Sequence, residues 1–138
     1  MKFKYNDGGR SAAGYKSKGG DCVCRSIAIV TGLPYQKVYD RLSEGNATQR
    51  KSIHHTPSRS VMGGISTYAV WFKRYMKELG FKWYTSPTIE LEDGKVPMGR
   101  IICSVHEHVV AIIDGVMNDN KIHTKKGYRR VYGYWKLK

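Results

Sequence analysis

A chain of 138 residues with 41% hydrophobic side chains is the size of one domain and can bury a core, which excludes wholesale disorder. No apolar run approaches the ~20 residues that cross a bilayer, and Met1 to Asp7 lack the apolar stretch of a signal peptide, so the sequence predicts no membrane partner and a cytoplasmic location. The formal charge is +13, from 24 Lys and Arg against 11 Asp and Glu, and it is regional: no acid lies between Gly45 and Lys77 and none follows Asp119. A field of this sign attracts nucleic acid or an acidic protein partner, although no recognised nucleic-acid module is present. Three cysteines, two of them one residue apart, make a poor disulfide framework and suit a reducing compartment.

Lys2 to Tyr5 predicts a short strand. The Gly/Ser/Lys loop that follows nearly spells a phosphate-binding loop, but Tyr15 intrudes before Lys16, and Gly19-Gly20 block the helix such a loop must feed. Asp21 is suited to an N-cap with Cys22 as first helical residue; Val23, Ile27 and Val30 recur at helical spacing, and Gly32 stands where a C-terminal cap belongs. Pro34 starts a second helix with Tyr35, Val38 and Leu42 on one face. Residues Ser43 to Gly64 are polar, basic and glycine-rich, and read as a mobile basic loop bordering a site. Tyr68, Trp71, Phe72, Tyr75, Met76 and Leu79 form a helical core stripe, with Ser66 as N-cap and Gly80 as terminator.

Beyond Gly80 the period changes to that of strands: Phe81 and Trp83 alternate with polar residues, and Ile101–Val105 and His108–Ile113 are apolar runs. Asp114-Gly115 signals a tight hairpin into Val116-Met117-Asn118, and Tyr128 to Trp135 is rich in β-formers, its aromatics expected on a buried face. Helices first and antiparallel strands afterwards predict an α+β fold, with N-terminal helices packed on a C-terminal antiparallel sheet, as a single domain over 1–138.

The chemistry concentrates at Gly20-Asp21-Cys22, where a glycine-rich loop enters an apolar helix. A thiol there sits beside free backbone N–H groups and the positive helix end, both of which favour thiolate. His108 opens its strand, and a tight hairpin returns Asp119 close to it. Cys22 as nucleophile, His108 as base and Asp119 as orienting acceptor make a catalytic set, with the Cys22 N–H able to donate to an oxyanion. The competing use is zinc: Cys22, Cys24, Cys103, His106, His108, His123 and the His54-His55 pair hold enough donors, but their spacing fits no standard site. No metal and no other cofactor is called for.

Gly20-Asp21-Cys22 through Gly32, Tyr75 through Trp83, His108 through Asp114-Gly115 to Asp119, and Val131-Tyr132-Gly133-Tyr134-Trp135 resemble small papain-like cysteine-peptidase-fold proteins of bacteriophages and bacteria, akin to C39-type peptidase domains. The resemblance implies a minimal papain-like fold, a Cys22–His108–Asp119 arrangement and hydrolysis of a peptide or amide bond in a peptide or protein substrate. For a phage-encoded chain the location becomes the host cytoplasm. Deamidation and acyl transfer use the same machinery. The family also places an oxyanion Gln before the nucleophile. Here Gln36 and Gln49 both follow Cys22, and the matching stretch holds Lys16, Ser17 and Lys18. That leaves an oxyanion hole of backbone groups, one using Lys16, or none. The alternative function is a catalytically inactive papain-like scaffold that binds nucleic acid or an acidic partner through its basic surface.

Overall fold

The computed structural model describes residues 1–16, 20–49, 61–62, 64–92, 94–122 and 130–138. Among them are three helices, α1 (Cys22–Thr31), α2 (Tyr35–Thr48) and α3 (Val70–Glu78). Six strands follow one another as β1 (Lys2–Tyr5), β2 (Phe81–Glu90), β3 (Arg100–Val105), β4 (His108–Ile113), β5 (Val116–Asp119) and β6 (Arg130–Leu137). The architecture is mixed α+β, with one sheet in the order β1-β5-β4-β3-β6-β2. Every pairing is antiparallel except that of β1, which lies parallel to β5. The expected C-terminal antiparallel sheet is therefore extended by an N-terminal strand, a long-range pairing with no local sequence signal.

Alternation sorts the sheet into two faces. Ile102, Val109, Ala111 and Trp135 pack with α1, α2 and α3, whereas Ile101, Cys103, Val110, Ile112 and Val131 form a second cluster closed by Leu91 and Val96. Strand β4 is buried on both sides, which is why its sequence is an unbroken apolar run. The Asp114-Gly115 turn has φ of 48° and 79°, the positive pair that a two-residue hairpin requires.

Helix α1 is the central support. Its buried Val23, Ile27 and Val30 each contribute roughly 1.5–3 kcal/mol by leaving water. Its C-terminal end is held by Arg100 of β3, whose guanidinium donates to Val30 O at 2.6 Å and Ile29 O at 3.1 Å. Gly32 closes it in the left-handed conformation (φ 75°), as its position predicts. The Ser26 hydroxyl donates to Val109 O at 3.4 Å and ties the helix to β4.

Three sequence expectations change. Helix α2 runs on to Thr48, so the segment expected as a loop from Ser43 begins later. Gly45, which suggested a loop, is a helical glycine against which the Trp71 indole lies; a Cβ there would overlap the ring. Of the rest of that segment, 50–60 and 63 lie outside the described residues. Helix α3 starts at Val70 after Ala69, without side-chain capping by Ser66, and Tyr68 stands before it at 86% exposure instead of joining the core. In β6, Trp135 is buried as expected, whereas Tyr132 is 44% exposed.

Candidate active site

Cys22 is the first residue of α1, and its N–H is one of the four that a helix start leaves without an intrahelical partner. The loop reaches this point through Gly20 (φ 83°), where a Cβ would overlap the carbonyl oxygen of Met62. Only glycine admits both that backbone conformation and that approach. Asp21 has the predicted N-cap position but makes no side-chain cap bond. Its carboxylate turns inward and binds Arg25 of the next turn, Arg10 at 3.5 Å and the Tyr35 hydroxyl at 2.6 Å.

The structure brings Cys22, His108 and Asp119 together. In the β4–β5 ladder Ala111 faces Asn118; carried one residue further, the register sets Asp119 opposite Val110 and diagonal to His108. His108 Nε2 lies 2.8 Å from Asp119 Oδ2. The other ring nitrogen, Nδ1, is left to face Cys22, and the imidazole lies near enough to the thiol for each to shift the other's pKa. Asp119 is fixed from the far side by β1: Tyr5 pairs with it, and Asn6 N donates to Asp119 O at 2.9 Å. Its Oδ1 accepts from Asn120 N at 2.7 Å and from Arg25 Nη2 at 3.3 Å. Both carboxylate oxygens are thus committed, and the imidazole has one orientation.

Electrostatics follow from these contacts. Burial opposes ionisation of Cys22, but the His108 hydrogen bond and charge, the Val109 N–H and Arg25 outweigh it and lower the thiol pKa from its ordinary value. Burial likewise opposes a charged His108, yet Asp119 and Cys22 together raise the ring from 6.5 to about 9. Asp119 is lowered in spite of burial, by His108, the Asn120 N–H and Arg25. The two shifts run toward each other, so the pair favours a proton on the ring and negative charge on the sulfur more than either group does alone. Cys24 and Cys103 are buried, and desolvation pushes both thiols up to about 12. Of the three cysteines, Cys22 alone has its pKa lowered.

Sequence reasoning missed Arg25, Arg10 and Tyr35. The available signal was an arginine inside the apolar run Val23 to Val30, four residues after Asp21 and three after Cys22. Such a charge on a buried face requires carboxylate partners, and Asp21 and Asp119 supply them. Lys16 is exposed and lines a surface hollow with Tyr5, Arg10 and Asn120; Ser17 and Lys18 lie outside the described residues.

As to metal ligands, His106 and Glu107 form the turn between β3 and β4, so His106 does not share a strand face with His108. Among the described residues no group of three His, Cys, Asp or Glu side chains gathers as a metal site would. His54, His55 and His123 lie outside them. The Asp7 carboxylate accepts from Gly9 N at 2.9 Å and Ser11 N at 3.1 Å, so these amides of the near phosphate-binding loop are used internally. Among the described residues no helix is long and apolar enough to cross a membrane.

Set against protein-family models, curated proteins and solved structures, the chain matches none.

Proposed function

We propose that the protein is a thiol hydrolase of papain-like type acting on a peptide or amide bond. The reading is supported by Cys22 at a helix start beside His108, whose Nε2 lies 2.8 Å from Asp119 Oδ2. The Cys22 sulfur attacks the acyl carbon, forming a C–S bond while the carbonyl electrons move to oxygen. Collapse of that oxyanion expels the amine, which takes its proton from His108. Water then attacks the thioester as His108 takes its proton, and collapse of the second oxyanion breaks the C–S bond, releasing the carboxylic acid and restoring the thiolate and the imidazolium. The Cys22 N–H is placed to donate to the oxyanion.

The test is competitive labelling with iodoacetamide at pH 7, with each cysteine quantified by mass spectrometry. Cys22 labels first, and His108→Ala slows it about tenfold or more as the thiol returns to a few per cent ionised. Equal labelling of all three cysteines, indifferent to that substitution, overturns the proposal and leaves a binding scaffold as the alternative.

A further inference from the structure

Three of the exposed aromatic side chains, Tyr68, Trp83 and Tyr132, gather round one recess of about 340 Å³. Its floor is the buried Trp135, and Ser104 and Lys73 stand at its edge. The volume falls in the range of small-ligand pockets, and the chemistry is theirs: apolar walls with few polar groups.

The recess adjoins the candidate active site. Thr67 and Trp135 line it and also line the apolar space beneath, whose other walls include Val23 and Val109. Val23 follows Cys22 in the chain, and Val109 follows His108, with its backbone N–H near enough to help lower the Cys22 thiol. Cys22 itself packs against the cluster that holds Val23, Val109 and Trp135. A substrate whose acyl carbon meets Cys22 therefore sets a nearby side chain over this hollow.

Charge narrows the occupant. A second hollow shares Lys73, Trp83 and Trp135 with the first and is lined further by Lys77, Lys82 and Lys138. Among the described residues no acidic side chain lines either one. The rings of Trp83 and Trp135 are tilted by 57° with centroids 4.6 Å apart. A slot for a planar base sandwiched between them needs on the order of 7 Å, twice the van der Waals separation. The arrangement instead receives an aromatic side chain edge-on.

We propose that this recess is the recognition site of the hydrolase, taking an aromatic side chain of a peptide whose adjoining acidic residue lies on the lysines. The inference rests on the Cys22 reading and adds the class of substrate: acidic peptides with an aromatic residue beside the reacting carbonyl.

The experiment compares thiol-reactive peptidyl ketones bearing Phe and Asp, in both orders, with analogues in which Gly replaces Phe or Lys replaces Asp. Iodoacetamide serves as the reagent too small to use the recess. A Phe–Asp probe is expected to label Cys22 at least about tenfold faster than its Gly analogue, with the Asp-over-Lys preference fading as salt rises. Tyr68→Ala lowers the Phe–Asp rate at least about threefold relative to that variant's own iodoacetamide rate; Tyr68 is largely exposed, so the fold tolerates it. Lys73→Gln combined with Lys82→Gln removes the acidic preference. Selective iodoacetamide labelling of Cys22 without preference among the peptidyl probes overturns the recess and leaves the hydrolase standing. Loss of iodoacetamide selectivity overturns both. Protection of Cys22 by single-stranded oligothymidine, with none by a Phe–Asp amide, also overturns the assignment and gives the recess to nucleobases.

Discussion

The surroundings of Cys22 and those of Trp83 carry charge in opposite ways. Around Cys22, Arg10, Arg25, Asp21 and Asp119 are each less than a tenth exposed and joined in one network with His108. With the thiol proton on the imidazole, three positive groups there face three negative ones, and the cluster is neutral. Around Trp83, Lys73, Lys77, Lys82 and Lys138 are exposed, and among the described residues none has an ion-pair partner. A closed network fixes geometry and protonation, whereas uncompensated surface charge is available to a ligand.

The strongest way to break the contrast is Arg25→Met. Removing one member of a buried ionic network costs about 3–5 kcal/mol, because Asp21 and Asp119 are left without their shared cation. Urea unfolding reads the loss, and iodoacetamide titration shows thiolate forming at higher pH, since Arg25 helps to lower Cys22. Wild-type stability in this variant means that the network is not what holds the Cys22 end together.

A middle-sized effect concerns pH. The raised His108 contributes stability in full below its ordinary 6.5 and loses it as pH rises through about 9. The lowered Cys22 contributes in full above its ordinary 9.0 and loses it as pH falls. Where both groups titrate the two slopes oppose each other, which leaves a flattened dependence on pH below about 9. His108→Ala erases it in stability measured against pH. Asp119→Asn brings the ring down, and the alkaline limb of peptidyl labelling moves to lower pH by about one to two units. An unmoved limb would detach Asp119 from the ring's protonation.

The smallest effect sharpens the other half of the contrast. Lys73→Gln with Lys82→Gln leaves stability within about 0.5 kcal/mol of wild type, because both lysines are exposed and the one ring contact, Lys82 Nζ 5.3 Å from the Tyr84 centroid, lies at the surface. A larger destabilisation would show these lysines to be structural.

What could be read from the sequence was local. His108 to Ile113 begins and ends as the apolar run predicts, because a strand covered on both faces needs apolar residues throughout and Asp114-Gly115 admits only a tight turn. Cys22 opens its helix and Gly32 closes it for equally short-range reasons. The same hairpin makes the meeting of His108 with Asp119 legible in the order of residues alone. Arg25 was not legible there, since its partners lie at Asp21 and, 94 residues away, at Asp119. Gly45 misled because its reason for being glycine is Trp71, a contact between helices. Tyr68 fitted the helical period yet lies outside α3, so periodicity alone did not fix where the helix begins.

Pairing β5 between β1 and β4 has a consequence for the order of assembly. Cys22 is contributed early in the chain, but Asp119, which binds His108, is clamped by residues 2–6 on one side and by β4 on the other. A nascent polypeptide that has emerged only as far as α3 carries Cys22 without the two residues that come to lie beside it. The group is complete only when the hairpin docks between the first strand and the rest of the sheet.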